Sequence, residues 1–132
     1  MITKDYPAHM NSYERLEAWQ AAHRFVLLVY RTTRGFPMEE RFGLSSQLRR
    51  AAFAVAANIV EGSAKKGPRE FRRYLDIAVG SVAELRYTLR LVKDLDLLSD
   101  DQFNDLESER DKVGRLTWGL YRSMRRAIDT RG

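Results

Sequence analysis

The sequence has 132 residues, no cysteine and a formal net charge of +5. This length fits one domain, and a composition of 44% hydrophobic and 31% charged residues is typical of a globular chain rather than a disordered one. The absence of cysteine excludes disulfides and thiolate metal sites. The first residues lack the apolar core of a signal peptide, and no apolar run approaches the roughly 18 residues of a membrane span. We therefore expect a single cytoplasmic domain over residues 1–132, with no membrane contact.

The first helix is predicted over residues 12–34, after a flexible lead-in at residues 1–11. Asn11 or Ser12 is the expected N-cap, and Gly35 belongs to the stop signal. Two neighbouring apolar stripes run along this helix, one with Leu16, Trp19, His23, Val26 and Tyr30, the other with Ala22, Phe25 and Val29. A helix that is apolar on two sides should touch more than one neighbour. We expect His23 to be a packed residue, hydrogen-bonded to a neighbouring helix, rather than a metal ligand or a base.

The second helix is predicted over residues 44–61, with Gly62 as its stop, and its many alanines favour close packing and deep burial. The third is predicted over residues 68–96, with Gly67 as N-cap and proline at its first position. Its heptad seam consists of Phe71, Leu75, Ala78, Val82, Leu85, Leu89 and Val92. Gly80 interrupts this helix at a cost of about 1 kcal/mol relative to alanine, so we expect another helix to lie close against it.

The capping box from Ser99 to Gln102 predicts the start of a fourth helix, over residues 100–128. No segment alternates with period two, so no strand is predicted. Four helices joined by short connections predict an all-α fold, namely an antiparallel up-down-up-down four-helix bundle.

Polar residues interrupt the apolar helices. Asn58 and Glu61 lie in the second helix, and Ser81 and Glu84 lie in the third at the same spacing. Because buried polar groups need partners, we expect an internal polar network that fixes the register of the helices and the assembly. Its predicted members are His23, Gln47, Asn58, Glu61, Ser81 and Glu84. A contact with a ligand or partner is the alternative. A catalytic carboxylate pair is disfavoured, since nothing nearby resembles a nucleophile, a phosphate loop or a metal site. We expect no enzyme, no cofactor and no metal.

Charge is distributed in blocks. Residues 41–75 carry eight basic and two acidic residues, residues 76–111 carry four and ten, and residues 112–132 carry six and one. Arginines near the start of the third helix oppose its dipole, whereas a helix N-terminus lined with guanidinium groups suits phosphate. The candidate nucleic-acid-binding residues are Arg49, Arg50, Lys65, Lys66, Arg69, Arg72, Arg73, Arg122 and Arg126. Mutual neutralisation of the blocks, or an ordinary solvated face, is the alternative.

Three stretches resemble one family in order: LEAWQAAHRFVLLVYRTTRGFP, ERFGLSSQLRRAAFAVAANIVEGSAKKGPREF and RYLDIAVGSVAELRYTL. The match as a whole covers about residues 16–98. The family is that of the four-helix-bundle proteins encoded in intervening sequences of large-subunit ribosomal RNA genes. The resemblance implies a ring-shaped homo-oligomer, with a pentamer favoured. The chain is also similar to the accessory protein of diversity-generating retroelements, a basic pentameric bundle that binds RNA and a reverse transcriptase. By position, the family's motif residues are Gln47, Arg49, Arg50, Asn58, Glu61, Gly62, Ser63, Gly80, Ser81 and Glu84.

We therefore expect a non-catalytic homo-oligomer that binds structured RNA or DNA through backbone phosphates. No sequence-reading motif is present, and the evident base-stacking aromatics are Phe71 and Tyr74. Three further aromatics, Phe53, Trp118 and Tyr121, are surplus to the core and favour oligomerisation. The alternative is a protein-interaction or scaffold module whose basic blocks meet the acidic residues 94–111, for example of an adjacent subunit.

Overall fold

The computed structural model describes residues 13–131 and is built from four long helices. Helix α1 spans Glu17–Thr33, α2 spans Leu44–Ser63, α3 spans Pro68–Asp94 and α4 spans Asp100–Arg131, and a short 3-10 helix at Met38–Glu40 lies between α1 and α2. Within residues 13–131 there is no strand, so the all-α prediction is confirmed. None of the helices in this part of the chain combines the length and apolar character needed to cross a membrane.

The four helices occupy the corners of a square. Helix α1 packs against α2 and α4, and α3 packs against the same two helices, whereas within residues 13–131 no Cα atoms of either diagonal pair come within 8 Å of each other. The core lies between them, and its largest fully buried side chains are Phe25, Val29, Leu48, Val55, Ile59, Leu75, Leu85, Leu89, Val92, Leu106, Val113 and Thr117. The predicted seam of α3 is buried from Leu75 to Val92, and Phe71 is half-buried at its start. The prediction that α1 has two neighbours is also confirmed.

Helix α2 lies close against α3 at Gly62, which is buried. A Cβ atom on this residue would lie 2.8 Å from Cδ1 of Phe71 and 2.9 Å from Cβ of Tyr74, closer than packed atoms tolerate. Gly62 was predicted as the helix stop, but α2 continues through it to Ser63. The chain turns instead at Gly67, whose φ of 83° suits glycine, so Gly62 serves the helix contact rather than the turn.

Two predicted helix starts are confirmed by their local chemistry. Pro68 is the first residue of α3 and follows Gly67. At the start of α4, the backbone N–H of Ser99 donates to Oε1 of Gln102 at 3.0 Å, and the N–H of Gln102 donates to Oγ of Ser99 at 3.1 Å. This reciprocal pair satisfies two donors that a helix start otherwise leaves unpaired.

Other helix ends differ from the prediction. Helix α1 begins at Glu17, because Tyr13 to Arg15 form a 3-10 turn and Leu16 occupies the N-cap position with extended backbone. The proposed caps Asn11 and Ser12, like the predicted lead-in at residues 1–11, lie outside the described residues. Helix α3 ends at Asp94, two residues early, where the backbone reverses. Helix α4 ends at Arg131, three residues beyond the predicted residue 128.

Two predicted contacts are not made within residues 13–131. His23 is exposed and stacks on Trp19 of its own helix, with ring centres 5.0 Å apart and planes within 9°. It lies outside the core because the neighbouring stripe, with Phe25 and Val29, faces inward. Gly80 is also exposed, and a Cβ there would meet no atom within 4 Å. The expected approach of another helix to Gly80 is therefore wrong for the described part of this chain.

Candidate nucleic-acid interface

The two basic stretches meet at one end of the bundle. The guanidinium carbon of Arg72, in the second turn of α3, lies 5.9 Å from the centre of the Tyr121 ring on α4. The α2–α3 turn and the start of α3 therefore lie beside the last turns of α4. The exposed cations of this region, hereafter the basic end, are Lys65, Lys66, Arg69, Arg72, Arg73, Arg122, Arg125 and Arg126. Seven of the nine predicted nucleic-acid-binding residues belong to it.

Few carboxylates neutralise the basic end. Arg73 pairs with Glu70 at 3.4 Å, but both side chains are more than half exposed, so the pair contributes less than about 1 kcal/mol. Among residues 13–131, no carboxylate comes within ion-pair distance of any other cation of the basic end. Arg126 instead donates to Oγ of Ser123 at 3.4 Å. The positive charge of this surface is therefore left largely unpaired in the described chain.

Aromatic rings lie among these cations. Nζ of Lys65 and the guanidinium carbon of Arg73 lie 5.4 Å and 5.3 Å from the centre of the Tyr74 ring. On α4, Trp118 stacks on Tyr121 with ring centres 5.2 Å apart and planes within 16°. The cation–ring contacts of Lys65 and Arg73 each contribute roughly 0.5–1 kcal/mol at exposed sites. They give the basic end a partly ordered surface rather than a set of independent side chains.

Trp118 and Tyr121 were assigned by the sequence to oligomerisation, and the structure places both beside the basic end. Gly114, one turn earlier on α4, packs against Val82 of α3, so this side of α4 faces α3. Trp118 remains 48% exposed and Tyr121 is half-buried. The sequence alone could have placed Trp118 beside Arg122, because the two residues are one helical turn apart. It could not have placed Trp118 near Arg72, because that proximity depends on how α3 and α4 pack.

Arg49 and Arg50 do not join the basic end. They precede the end of α2 at Ser63 by 14 and 13 residues, roughly 20 Å along the helix axis. Nε of Arg49 donates to Oγ1 of the buried Thr33 at 2.8 Å, and its guanidinium carbon lies 4.6 Å from the centre of the Tyr30 ring. Arg49 thus ties α2 to the end of α1, a structural contact that the sequence did not predict.

The predicted buried polar network is not buried in this chain. His23, Glu61 and Glu84 are exposed, and Gln47, Asn58 and Ser81 are half-buried. Nε2 of Gln47 does donate to Oε2 of Glu84 across the α2–α3 contact at 3.2 Å, whereas Nδ2 of Asn58 donates to the carbonyl of Ala54 in its own helix at 2.8 Å. The expected burial is not observed in residues 13–131, because the apolar seam fills the core and these polar residues lie at its edges, whereas the link between Gln47 and Glu84 is made.

An apolar hollow of about 520 Å³ opens between α1 and α2. This α1–α2 hollow is lined by Trp19, His23, Val26, Phe53, Ala56, Ala57, Val60 and Glu61. Phe53 is 60% exposed at its edge. Because α1 and α2 lie across the square from α3 and α4, the hollow is on a different side of the bundle from Trp118. No group of three or more histidine or acidic residues within residues 13–131 is arranged to hold a metal ion.

The family comparison covers most of the chain. The profile described as 23S rRNA-intervening sequence protein matches residues 14–119, which include α1, α2, α3 and the first two thirds of α4. A solved protein of unknown function from the S23 ribosomal protein family of Bacteroides thetaiotaomicron is similar in fold. It has a TM-score of 0.74 and 19% sequence identity, over 80% of this chain and 95% of that one. No curated protein gave a match. On the extent of the profile match, the chain belongs to the 23S rRNA-intervening sequence protein family.

Proposed function

We propose that this protein is a non-catalytic, homo-oligomeric bundle that binds nucleic acid, structured RNA or DNA, through backbone phosphates at its basic end. The observation that supports this proposal is that exposed cations from the α2–α3 turn, α3 and α4 lie at one end of the bundle. Of these cations, only Arg73 pairs with a carboxylate of residues 13–131. Lysine and arginine that neutralise phosphates release counterions, so the affinity should fall steeply as salt rises. The family's name, which refers to 23S rRNA, fits such a partner.

The proposed assembly is a ring of antiparallel up-down-up-down bundles, for which the family resemblance favours a pentamer. Within the chain, the contacts Gln47–Glu84, Gly62–Phe71 and Arg72–Tyr121 are those expected of neighbouring helices that run in opposite directions. Between chains, the α1–α2 hollow supplies an exposed apolar surface of the kind that marks a protein contact. It lies on the α1–α2 side of the bundle, opposite the α3–α4 side that carries Arg72 and Arg122, so assembly there would leave those cations open to solvent.

The binding proposal is tested by fluorescence anisotropy with a labelled RNA hairpin and a labelled DNA of equal length, at about 50 and 300 mM salt. The double variant Arg69→Glu/Arg72→Glu should lose binding by tenfold or more. Its matched control is Arg86→Glu/Arg90→Glu, on the same helix and with the same change in charge, and it should lose far less. Arg90 gives up only an exposed pair with Asp94. No binding at low salt, or equal losses in the two variants, would overturn the proposal.

The alternative function is a scaffold in which the basic end meets acidic residues of a neighbouring subunit. Asp100, Asp101 and Asp105 at the start of α4 are exposed, and none has an ion-pair partner among residues 13–131. These carboxylates could receive the cations of another copy. Light scattering in nuclease-treated protein discriminates the two functions, because Asp101→Lys/Asp105→Lys should dissociate a scaffold but should not weaken nucleic-acid binding.

A further inference from the structure

We infer that the basic end binds unpaired rather than base-paired nucleic acid, with a base stacked on Trp118. This inference rests on the proposed function and narrows its ligand to single strands, including the loops of a structured RNA. It starts from the one large aromatic surface that the basic end exposes within residues 13–131. Trp118 is 48% exposed although its ring is already stacked on Tyr121.

Cations flank this aromatic pair from two helices. Arg72 of α3 lies against the Tyr121 ring, and Arg122 follows Trp118 by four residues, which places it on the same side of α4 about 6 Å further along the axis. A strand that crosses from α3 to α4 would therefore meet a cation, a stacked ring pair and a second cation. Alternating positive charge and aromatic faces is the arrangement by which proteins hold single strands without reading their sequence.

A duplex could not use Trp118 in this way. The faces of paired bases are covered by their neighbours in the helix, and a protein that meets a duplex from outside contacts phosphates, sugars and groove edges. An unpaired base presents its face, and every base has one. The stack on Tyr121 also holds the Trp118 ring in place before a ligand arrives, so that little side-chain freedom is lost on binding.

The charge around Trp118 favours nucleic acid over a second copy of the chain as its occupant. A subunit contact through this surface would bring the unpaired cations of the basic end, Arg72 and Arg122 among them, into a shared interface, where they would repel those of the other copy unless acids met them. The lining of the α1–α2 hollow contains no lysine or arginine, so this hollow is the better surface for assembly. A polyanion, in contrast, would be attracted by the same charges.

The test compares a labelled 20-residue oligouridine with a blunt RNA duplex of equal length, using the full chain at low salt. We expect the single strand to bind at least tenfold more tightly. Trp118→Ala should weaken single-strand binding on the order of tenfold and leave duplex binding unchanged, while Trp118→Phe should retain most of the affinity. The control is Tyr87→Ala, which removes an exposed aromatic ring (67%) from α3 away from the basic end and should have no effect.

The outcomes separate this inference from the function on which it rests. Equal binding of both ligands, or a Trp118→Ala variant that binds the single strand normally, overturns the single-strand inference and leaves phosphate binding in place. Binding of neither ligand overturns the proposed function itself. Light scattering on Trp118→Ala completes the test, because a fall in assembly mass would assign Trp118 to a subunit contact and also overturn the inference.

Discussion

The guanidinium group of Arg72 lies against the ring of Tyr121, 5.9 Å from its centre, and so connects the start of α3 to the last turns of α4. Two basic stretches that lie far apart in the sequence thereby form one surface. Each stretch alone would be an unremarkable set of exposed cations. Their combination concentrates unpaired positive charge on one surface, which the proposed binding of a polyanion requires.

The first prediction compares an arginine of the basic end with an arginine outside it. Arg122→Glu should weaken nucleic-acid binding several-fold, whereas Arg50→Glu should leave it nearly unchanged, because Arg50 lies roughly 20 Å away along α2. Both residues are exposed and both substitutions change the charge by the same amount. Anisotropy titrations at one salt concentration make the comparison. Equal losses would mean that net charge, rather than the basic end, determines the affinity.

The second prediction concerns two glycines with opposite surroundings. Gly80→Ala should raise the free energy of unfolding by about 1 kcal/mol, because a methyl group there meets open space and alanine is the better helix former. Gly62→Ala should lower it by about 1–3 kcal/mol, because its methyl group would overlap Phe71 and Tyr74. Urea denaturation followed by circular dichroism measures both. A destabilising Gly80→Ala would show that something outside the described chain packs there.

The third prediction contrasts two buried threonines. Oγ1 of Thr117 has no hydrogen-bond partner among residues 13–131, so Thr117→Val should raise the free energy of unfolding by about 1 kcal/mol. Oγ1 of Thr33 donates to the carbonyl of Val29 at 2.7 Å and accepts from Nε of Arg49 at 2.8 Å. Thr33→Val should therefore cost about 1–3 kcal/mol, since it leaves the guanidinium donor unpaired. Thermal and urea unfolding of the two variants should shift in opposite directions.

The fourth prediction tests the α1–α2 hollow as the subunit contact. Phe53→Glu places a charge at an exposed apolar edge and should reduce the assembly to a chain of 15.3 kDa. Tyr87→Glu, at a similarly exposed aromatic on α3, should leave the mass unchanged. Light scattering at micromolar concentration measures the mass of both variants. If the unmodified protein is itself a 15.3 kDa monomer, or if Tyr87→Glu dissociates it instead, the assignment of the hollow to assembly is wrong.

Those features that depend on a few neighbouring residues could be predicted from the sequence. The capping box at Ser99 and Gln102 and the Gly67-Pro68 start are chemical signals that act within one helical turn. The seam from Leu75 to Val92 is a repeat that any α-helix must place on one side. The stop at Gly62 was misjudged because glycine also permits close helix contact, and only the packing of α3 against α2 distinguishes the two uses.

The site depends on packing to a greater extent. The sequence identified the individual cations of the basic end, but it could not show that Arg72 meets Tyr121 or that Arg49 turns toward Thr33. The burial of the polar network was mispredicted for a related reason. Residues three apart on a helix, such as Asn58 and Glu61, share a side, yet spacing does not tell whether that side lies in the core or at its edge.

The exposed carboxylates at the start of α4 lie at the far end of that helix from Arg122, roughly 30 Å away. The charge of α4 is therefore polarised along the helix, which would orient an approaching polyanion before any contact forms. Electrostatic repulsion would slow encounters near the start of α4, and attraction would accelerate encounters near its end. The capture rate, and not only the final affinity, should thus depend on acids that never touch the ligand.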